Sequence, residues 1–299
     1  MTPDLAPVPA ADATASPSTT APVAAPASAF SIRRLRVDLA RGFGPLWAGG
    51  DAFRTHFMNA LSMSFPVGEQ FFIDSVRAGV QLRPAEDQAR WAPLVRGFVG
   101  QEATHRHLHG LFNAELARQG LVNHWERWAR WRIARSARMH PVNHVAVTAA
   151  YEHFTAVLAT DVLQHPSRLA GAEPDLALLW RWHAVEESEH KAVAFDLYRE
   201  MGGSERRRIA WFAYIWLLFV LESLAQTTIN LWNSGQLRRP RTWGQGLRFL
   251  FGRQGLVWTT ARPLMQYLRP GFHPRQLPDA PAVSAWLQEH QGRYAVVGE

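Results

Sequence analysis

Apolar residues recur at intervals of three and four positions from Ser31 onward, whereas the alternation typical of strands is scarce. That period places apolar side chains along one face of a helix, and the pattern therefore predicts an all-α protein. Proline suits the first turn of a helix and glycine often follows the last, so these two residues indicate where the helices begin and end.

Six helices are predicted ahead of Arg238. They cover residues 50–80, 84–119, 124–139, 141–164, 174–201 and 205–232. Pro66 lies inside the first helix and predicts a kink or break just before Glu69, because proline cannot donate the usual backbone hydrogen bond. After Arg238 the chain is basic and aromatic, which predicts shorter helices that pack on the bundle or over its mouth.

The composition divides the chain into three parts. Residues 1–30 are almost all Ala, Pro, Ser and Thr, which predicts a disordered tail. This tail has neither the positive start nor the unbroken apolar stretch of a secretory signal, so we expect a cytoplasmic protein. Residues 31–234 are predicted to form the helical bundle, and residues 235–299 a basic, aromatic-rich helical extension.

Charge and cysteine content limit the kinds of partner and of metal or catalytic site that the chain can have. The formal net charge of +7 is compatible with an anionic partner, although a solvated basic surface is the favoured interpretation. No recognised nucleic-acid motif accompanies the arginines, so a nucleic-acid partner is not expected. The chain has no cysteine, which excludes disulfides, thiolate zinc sites, iron–sulfur clusters and cysteine nucleophiles. Any metal must therefore be held by histidines and carboxylates.

One segment is apolar enough to raise the question of a membrane. The thirteen residues from Ile209 to Leu221 carry no charge and follow three arginines. Crossing a bilayer takes about 20 apolar residues, so we expect this run to lie in the core or in a homodimer contact. Peripheral docking of residues 206–221 on an anionic membrane is the alternative.

Two segments contain the motif Glu-x-x-His, which can bind a metal ion. These are Glu102 to His105 and Glu187 to His190, each in the middle of a predicted helix. Residues three apart share a helix face, so one carboxylate and one imidazole can reach a single ion. With 13 histidines in the chain, one such motif alone would be weak evidence.

Two further glutamates complete a recognisable order. Glu69 precedes Glu102 by 33 residues, and Glu152 precedes Glu187 by 35 residues. The order Glu, Glu-x-x-His, Glu, Glu-x-x-His is that of ferritin-like dimetal carboxylate bundles. All four carboxylates lie on otherwise apolar helix faces, and burying them together requires cations. The sequence therefore predicts a ferritin-like bundle with a dimetal site and extra C-terminal helices.

Other histidines and glutamates near the motifs are candidates too. His183 shares a face with Glu187 and His190 and is favoured as a third imidazole ligand, with a hydrogen bond to a ligand carboxylate as the alternative. His109 has the same relation to His105 but is expected to support a ligand.

The remaining histidines and glutamates near the two motifs are not expected to be metal ligands. Glu186 competes with Glu187, and the repeated three-residue spacing favours Glu187. His107, His153 and Glu189 are expected to point elsewhere and only to decorate their helices. The predicted metal ligands are Glu69, Glu102, His105, Glu152, His183, Glu187 and His190.

The motifs carry a family resemblance over roughly residues 36–269. The runs concerned are Phe65 to Glu69, Gln101 to His105, Tyr151 to His153 and Glu186 to Lys191. They resemble bacterial proteins grouped as predicted metal-dependent hydrolases. The ligand order is also similar to that of di-iron arylamine N-oxygenases, which carry an additional histidine four residues before the last motif, where this chain has His183.

The resemblance implies oxygen activation at two irons, with manganese or a mixed pair as alternatives. By analogy, Glu102 and Glu187 would bridge the ions, and Glu69 and Glu152 would each bind one. The histidines His105 and His190 would bind different ions.

The predicted function is a di-iron oxygenase or oxidase. It would use O2 and an external electron donor to oxidise a small organic substrate, which the many aromatic residues suggest is apolar or aromatic. A dimetal-dependent hydrolase and a non-enzymatic metal-binding helical protein are the alternatives.

Overall fold

The computed structural model describes residues 30–297 and confirms the all-α prediction. Ten α-helices and one two-stranded ribbon are present in this range. The helices are α1 (Ala52–Gln81), α2 (Ala85–Arg118), α3 (His124–Ser136), α4 (Pro141–Gln164), α5 (Pro174–His190), α6 (Val193–Glu200), α7 (Glu205–Asn233), α8 (Pro240–Phe251), α9 (Leu256–Gln266) and α10 (Ala280–Glu289). The strands are β1 (Arg33–Leu35) and β2 (Tyr294–Val296). Apart from Phe30, the predicted tail 1–30 lies outside the described residues.

The bundle is built from α1, α2, α4 and α5. Helix α1 packs along α2, α4 packs along α5, and α1 also meets α4. Helix α7 covers α1 and α4 from outside. The short C-terminal helices pack on this bundle as expected, with α8 on α1, α9 on α4 and α10 on α5. The division of the chain at residue 235 stays a prediction.

Capping residues explain where several helices begin. The side chains of Asp51, Asn123 and Ser204 accept hydrogen bonds from backbone N–H groups in the first turns of α1, α3 and α7. Such acceptors satisfy donors that have no partner within the helix. After α6, Gly202 has a positive φ of 74°, which lets the chain turn sharply before α7.

The predicted helix 174–201 is in fact two helices, α5 and α6. They are separated at Lys191 and Ala192, which keep right-handed backbone angles. Lys191 is buried, and its ammonium group pairs with the carboxylate of Asp279 at the start of α10. A buried cation requires such a partner, so the break falls where the C-terminal extension supplies one.

A kink or break is predicted at Pro66; α1 continues through this residue, so the break does not occur, while the kink stays a prediction. A residue at position 66 with an N–H group would donate to the carbonyl of Ser62, and proline cannot. The side-chain amide of Asn113 on α2 donates to that carbonyl instead, at 2.9 Å. The hydroxyl of Ser62 donates to the Asn113 carbonyl oxygen at 2.8 Å. A neighbouring helix thus satisfies the acceptor that proline leaves free.

The short ribbon joins the beginning and end of the described chain. Strands β1 and β2 are antiparallel, with Arg34 opposite Ala295. The alternation along β1 leaves Arg34 exposed and turns Arg33 inward, where it is 6% exposed. The ribbon therefore fixes an arginine next to the bundle centre.

Helix α7 combines an apolar outer side with a polar inner side. Among the described residues it is the one helix whose length and composition would suffice to cross a bilayer, and 28% of its most apolar window is buried. Its buried residues include Arg208, Glu222, Gln226 and Asn230. Glu222 forms a double ion pair with Arg132 of α3. The inner side is therefore tied to the bundle by polar contacts.

We expect Asn113→Ala to destabilise the protein by about 1–3 kcal/mol, since it leaves the Ser62 carbonyl without a partner. The same change should cost about 1 kcal/mol less in a Pro66→Ala background, where residue 66 gains an N–H that can donate to Ser62. Urea unfolding of the four proteins in this double-mutant cycle measures the difference. Equal costs in both backgrounds would show that the amide does not compensate for the proline.

Candidate metal centre

The seven predicted ligands meet at the centre of the bundle. Helix α1 contributes one, α2 two, α4 one and α5 three, and each is at most 4% exposed. They are Glu69, Glu102, His105, Glu152, His183, Glu187 and His190. Four helices thus direct four carboxylates and three imidazoles into one buried volume.

The ligand atoms form overlapping groups of three, each within 4.8 Å of one another. Two groups share His105: one adds Glu69 and His183, and the other adds Glu102 and Glu187. The remaining group consists of Glu102, Glu152 and His190. Glu102 belongs to two of these groups, one that contains His105 and one that contains His190. The arrangement therefore has room for two adjacent ions.

Glu187 lies between the histidines His105 and His183 and the histidine His190. Its Oε1 atom is 3.0 Å from Nε2 of His183, 3.4 Å from Nδ1 of His105 and 3.5 Å from Nε2 of His190. Two ligands that are each about 2.1 Å from one ion lie about 3.0–3.5 Å apart. These distances are therefore compatible with atoms that would share metal ions.

Glu102 has a related position. Its Oε2 atom is 3.9 Å from Nδ1 of His105, and its Oε1 atom is 3.6 Å from Nε2 of His190. The two oxygens of one carboxylate thus face the imidazoles of different groups. This is the arrangement expected for a bridging carboxylate.

The ligand atoms have no other partners in the described chain. Seven carboxylate oxygens of the four glutamates, together with Nδ1 of His105 and Nε2 of His190, are buried without a hydrogen bond. Burying polar atoms in this way costs free energy unless cations coordinate them. Mixed carboxylate and imidazole ligands suit divalent transition metals, so the residues present fit a metal centre.

Burial also changes the acidity of these carboxyl groups. Burial raises the pKa values of Glu69 and Glu102 well above the usual range, and the charge of Glu187 adds to the effect. Burial raises the pKa of Glu152 to about 8, although His190 opposes the shift. Burial would also raise the pKa of Glu187, but His190 and the surrounding hydrogen bonds hold it well below its usual range. Bound cations would favour the ionised form of all four.

A chain of hydrogen bonds supports His183 from behind. Its Nε2 atom faces Glu187, while its Nδ1 atom is 2.8 Å from Nε2 of His109. Nδ1 of His109 is in turn 2.8 Å from the hydroxyl of Ser62. If Nε2 of His183 binds metal, its Nδ1 carries a proton and donates it to His109, which then donates to Ser62. This geometry is compatible with His183 as a metal ligand and His109 as its support, and both roles stay predictions.

The two motif histidines are held in a reciprocal way. Nε2 of His105 is 3.0 Å from Oε2 of Glu186, and Nδ1 of His190 is 3.0 Å from Oε1 of Gln101. Gln101 and Glu186 each directly precede the glutamate of one motif. The residue before the glutamate of each motif therefore orients the histidine of the other.

A polar cluster extends this support on the His190 side. Arg33 of β1 donates two hydrogen bonds to Glu189, at 2.6 and 2.8 Å, and lies 3.5 Å from Glu186. Gln101 also donates to Glu189, at 2.7 Å. The prediction that Glu189 only decorates its helix is therefore wrong, because it anchors both Arg33 and Gln101. The sequence offered no signal for this role, since it depends on a strand that is distant along the chain.

His107 and His153, the other two residues predicted to point away from the centre, differ in their exposure to solvent. His107 is exposed, as predicted. His153 is fully buried, and its Nε2–H lies 3.2 Å from the carbonyl oxygens of Pro263 and Leu264 in α9. The prediction for His153 is therefore wrong, because it fastens the C-terminal extension to α4.

A cavity of about 510 Å³ reaches the centre from one side. Glu69, His183 and Glu187 form part of its inner wall. The rest of the lining is mainly aromatic and aliphatic, with side chains from α1, α3, α4 and α7. The cavity can therefore hold an apolar molecule against one side of the ligand cluster.

Fold and centre together define an all-α protein with buried His and Glu groups able to bind metal. A family model described as predicted metal-dependent hydrolase matches residues 31–277, and the chain belongs to that family. Comparison with curated proteins and with solved structures gives no match. The likeness to ferritin-like di-iron proteins therefore stays a hypothesis.

We expect purified protein to contain about two metal ions per chain, by analogy with dimetal bundles. The variants His190→Ala and Glu102→Ala should lose them, since both residues contribute to the ligand groups. His107→Ala, which changes an exposed histidine of α2, is the matched control and should retain the metal. Elemental analysis of the four proteins decides the matter, and equal metal in all of them would contradict the assignment.

Glu152→Gln should have opposite effects on the metal-free and metal-loaded proteins. Without metal, the folded chain has a raised Glu152 pKa of about 8, so stability contributed by this group is lost as the pH rises from about 4.5 toward 8. The amide removes that loss and should raise the melting temperature of the metal-free protein above pH 8. With metal it should lower the melting temperature, because a ligand is missing.

The control for this comparison is Glu86→Gln, which alters an exposed glutamate at the start of α2. With and without metal, its free energy of unfolding should stay within about 0.5 kcal/mol of the parent value. A Glu152→Gln variant that is destabilised without metal would mean that its carboxylate has a protein partner.

Proposed function

We propose that this protein is a dinuclear metal enzyme that acts on a small apolar organic molecule. The observation that carries the proposal is that the apolar cavity ends on Glu69, His183 and Glu187. A molecule bound there would contact the ligand cluster directly, with little water between them. A non-enzymatic metal-binding role gives no reason for a cavity of this size and lining.

The ligand groups support a specific division of the residues. Glu69, His105 and His183 would hold one ion, and Glu152 and His190 the other. Glu102 and Glu187 would bridge. Four carboxylates balance the charge of two divalent cations, which makes the filled centre neutral in its apolar surroundings.

The reaction that we propose is an oxidation with O2. Two irons would supply O2 activation, and an external donor would supply electrons. Ligands of mixed carboxylate and imidazole type suit iron, with manganese or a mixed pair as alternatives. Apolar walls suit an aromatic or aliphatic substrate better than a polar ester or phosphate, whose hydrolysis needs hydrogen-bond donors for developing negative charge.

Residues of this chain would exclude water and orient the substrate. Phe65 and Phe72 line the cavity on either side of Glu69 along α1. Tyr151 lines it next to Glu152, and burial raises the pKa of its hydroxyl to about 12, which keeps it protonated. The support from His109 fixes the imidazole of His183 at the inner end of the cavity.

Hydrolysis is the second candidate, and the family description favours it. A dinuclear site can activate water for attack without any redox change. The two reactions differ in what they need. Oxidation requires a redox-active metal and O2, whereas hydrolysis proceeds under nitrogen with zinc or manganese.

The test uses iron-loaded protein with a panel of aromatic amines, and zinc- or manganese-loaded protein with a panel of nitrophenyl esters under nitrogen. Substrate-dependent O2 consumption with iron supports the oxidation. Ester cleavage under nitrogen that Glu102→Ala abolishes would instead establish the hydrolase. Iron oxidation without turnover of any organic molecule would leave the metal-binding role.

We expect Gly68→Leu to block the cavity without disturbing the fold or the metal. Gly68 lines the cavity, and a Cβ atom there would meet only Phe72 Cζ, at 3.8 Å. Leucine should stabilise α1 by about 1 kcal/mol relative to glycine, because it favours the helix. Turnover of any substrate found, or binding of an aromatic probe followed by fluorescence, should fall about tenfold or more, since the side chain fills the space.

Gly110→Leu is the matched control, because Gly110 is also helical and a Cβ atom there would meet nothing within 4 Å. It lies on α2, outside the cavity lining. It should retain metal, stability and probe binding. Full activity of Gly68→Leu would mean that the cavity is not the substrate site.

A further inference from the structure

An apolar stripe runs along the outer side of α7. Tyr214, Leu217, Leu221 and Leu224 recur at intervals of three and four residues and are between 43% and 55% exposed. We call these four residues the apolar face. No charged residue interrupts it, because Glu222 points inward to Arg132. Exposed stripes of this kind mark sites of interaction with proteins or membranes.

The mouth of the cavity adjoins this face. Tyr214 on α7 lines the cavity and is 46% exposed. Trp131 on α3 also lines the cavity and is 61% exposed. Residues that both line a cavity and meet solvent lie at its opening, so the mouth lies between α3 and α7. Whatever covers the apolar face therefore also lies over the entrance to the site.

Arginines surround the mouth and the near end of the apolar face. Arg127, Arg135 and Arg138 are exposed on α3 and the turn after it, and Arg206 and Arg207 are exposed in the first turn of α7. None of the five has an ion pair with another residue in the range 30–297. Arg135 also lies over the ring of Trp131, at 4.9 Å. Exposed tryptophan and unpaired arginine next to an apolar stripe are typical of surfaces that lie at a membrane interface.

We propose that the apolar face and the arginines around it dock on the surface of an anionic lipid bilayer. The leucines would enter the boundary between headgroups and acyl chains, and the arginines would contact anionic headgroups. The cavity mouth would then open onto the bilayer. An apolar substrate could pass from the lipid into the cavity without crossing water. The identity of that substrate rests on the proposed function, but the docking itself does not.

Helix α7 would lie in the plane of the membrane and would not cross it. A single helix that crosses a bilayer exposes every side to acyl chains, whereas the inner side of α7 carries the polar residues Gln226 and Asn230. Gln226 accepts from the backbone of α3 and donates to Asn230, and Asn230 donates to the backbone of α1. These buried contacts would be lost on insertion. The helix therefore has one side for the bundle and one for lipid.

Charge favours lipid over a second copy of the chain. A two-fold dimer through the apolar face would set the same patch of each copy against the other. Both copies would then contribute unpaired arginines to one interface, and this concentration of like charge opposes association. Anionic headgroups would instead neutralise them. The surface is thus complementary to an acidic membrane and not to itself.

The experiment is co-sedimentation of metal-loaded protein with sucrose-loaded vesicles of phosphatidylcholine, alone or mixed with phosphatidylglycerol. We expect binding to the mixed vesicles that weakens as salt increases. The double variant Leu217→Ser/Leu221→Ser should reduce that binding at least about tenfold, since two leucines no longer enter the bilayer. Arg135→Glu/Arg138→Glu should reduce binding to the mixed vesicles and flatten its salt dependence.

The matched control is Leu82→Ser/Leu111→Ser. These leucines are 55% and 45% exposed and lie outside the apolar face, so vesicle binding should not change. Metal content of every variant, measured alongside, confirms that the bundle is intact. Neither vesicle binding nor metal content requires a substrate to be known. Failure of the docking would therefore leave the proposed function standing, and failure of the proposed function would leave the docking standing.

Two results would overturn docking on lipid, and a third would remove its assignment to α7. One is the absence of vesicle binding by the parent protein at low salt. The other is a stable dimer in sedimentation velocity that Leu217→Ser/Leu221→Ser converts to monomer, which would show that a second copy covers the face. Equal loss of binding in the Leu82→Ser/Leu111→Ser control would likewise remove the assignment to α7.

Discussion

Four carboxylates buried in one volume are the constraint on which the rest of the structure depends. Glu69, Glu102, Glu152 and Glu187 are each at most 2% exposed, and seven of their eight oxygens have no protein partner. The surrounding helices leave them little access to water except through the cavity on the side of Glu69. Protonation relieves part of this cost in the metal-free chain, and bound cations would relieve it with the carboxylates ionised, so metal binding would contribute to the stability of the fold. The stability of this bundle would therefore depend on ions as well as on its apolar core.

The two sides of the centre are built differently. On the side of Glu69 and His183 the protein leaves an apolar cavity. On the side of His190 it adds charged and amide groups, with Arg33 of the β-ribbon bound to Glu189, beside a smaller and more polar cavity of about 380 Å³ that His190 also lines. The side of Glu69 thus offers space for an apolar molecule, whereas ion pairs and hydrogen bonds hold the residues on the side of His190.

Much of the centre could be predicted because its ligands follow local rules. The spacing within each motif and the order of the four glutamates are properties of single helices, and all seven predicted ligands meet in the structure. The helices themselves were predictable from periodicity, proline and glycine for the same reason. The seven residues span more than a hundred positions of the chain. They could still be assigned to one site, because each lies on a predictable helix face.

The errors have a common cause in contacts between elements far apart in sequence. Pro66 does not break α1 because Asn113 of α2 satisfies the free carbonyl. Lys191 interrupts the predicted fifth helix where Asp279, 88 residues later, provides its partner. The role of Glu189 depends on Arg33, 156 residues earlier. Periodicity describes one helix at a time and cannot indicate which side chain of another element completes it.

The reciprocal support of the two motif histidines links the two halves of the centre. His105 is oriented by Glu186 of α5, and His190 by Gln101 of α2. Each of these helices thus holds a histidine of the other. If the centre holds two ions as proposed, an ion bound by one half would fix α2 against α5 and so would orient the imidazole that the other half requires. The first ion would then prepare the site for the second, and a form with a single ion would not be favoured.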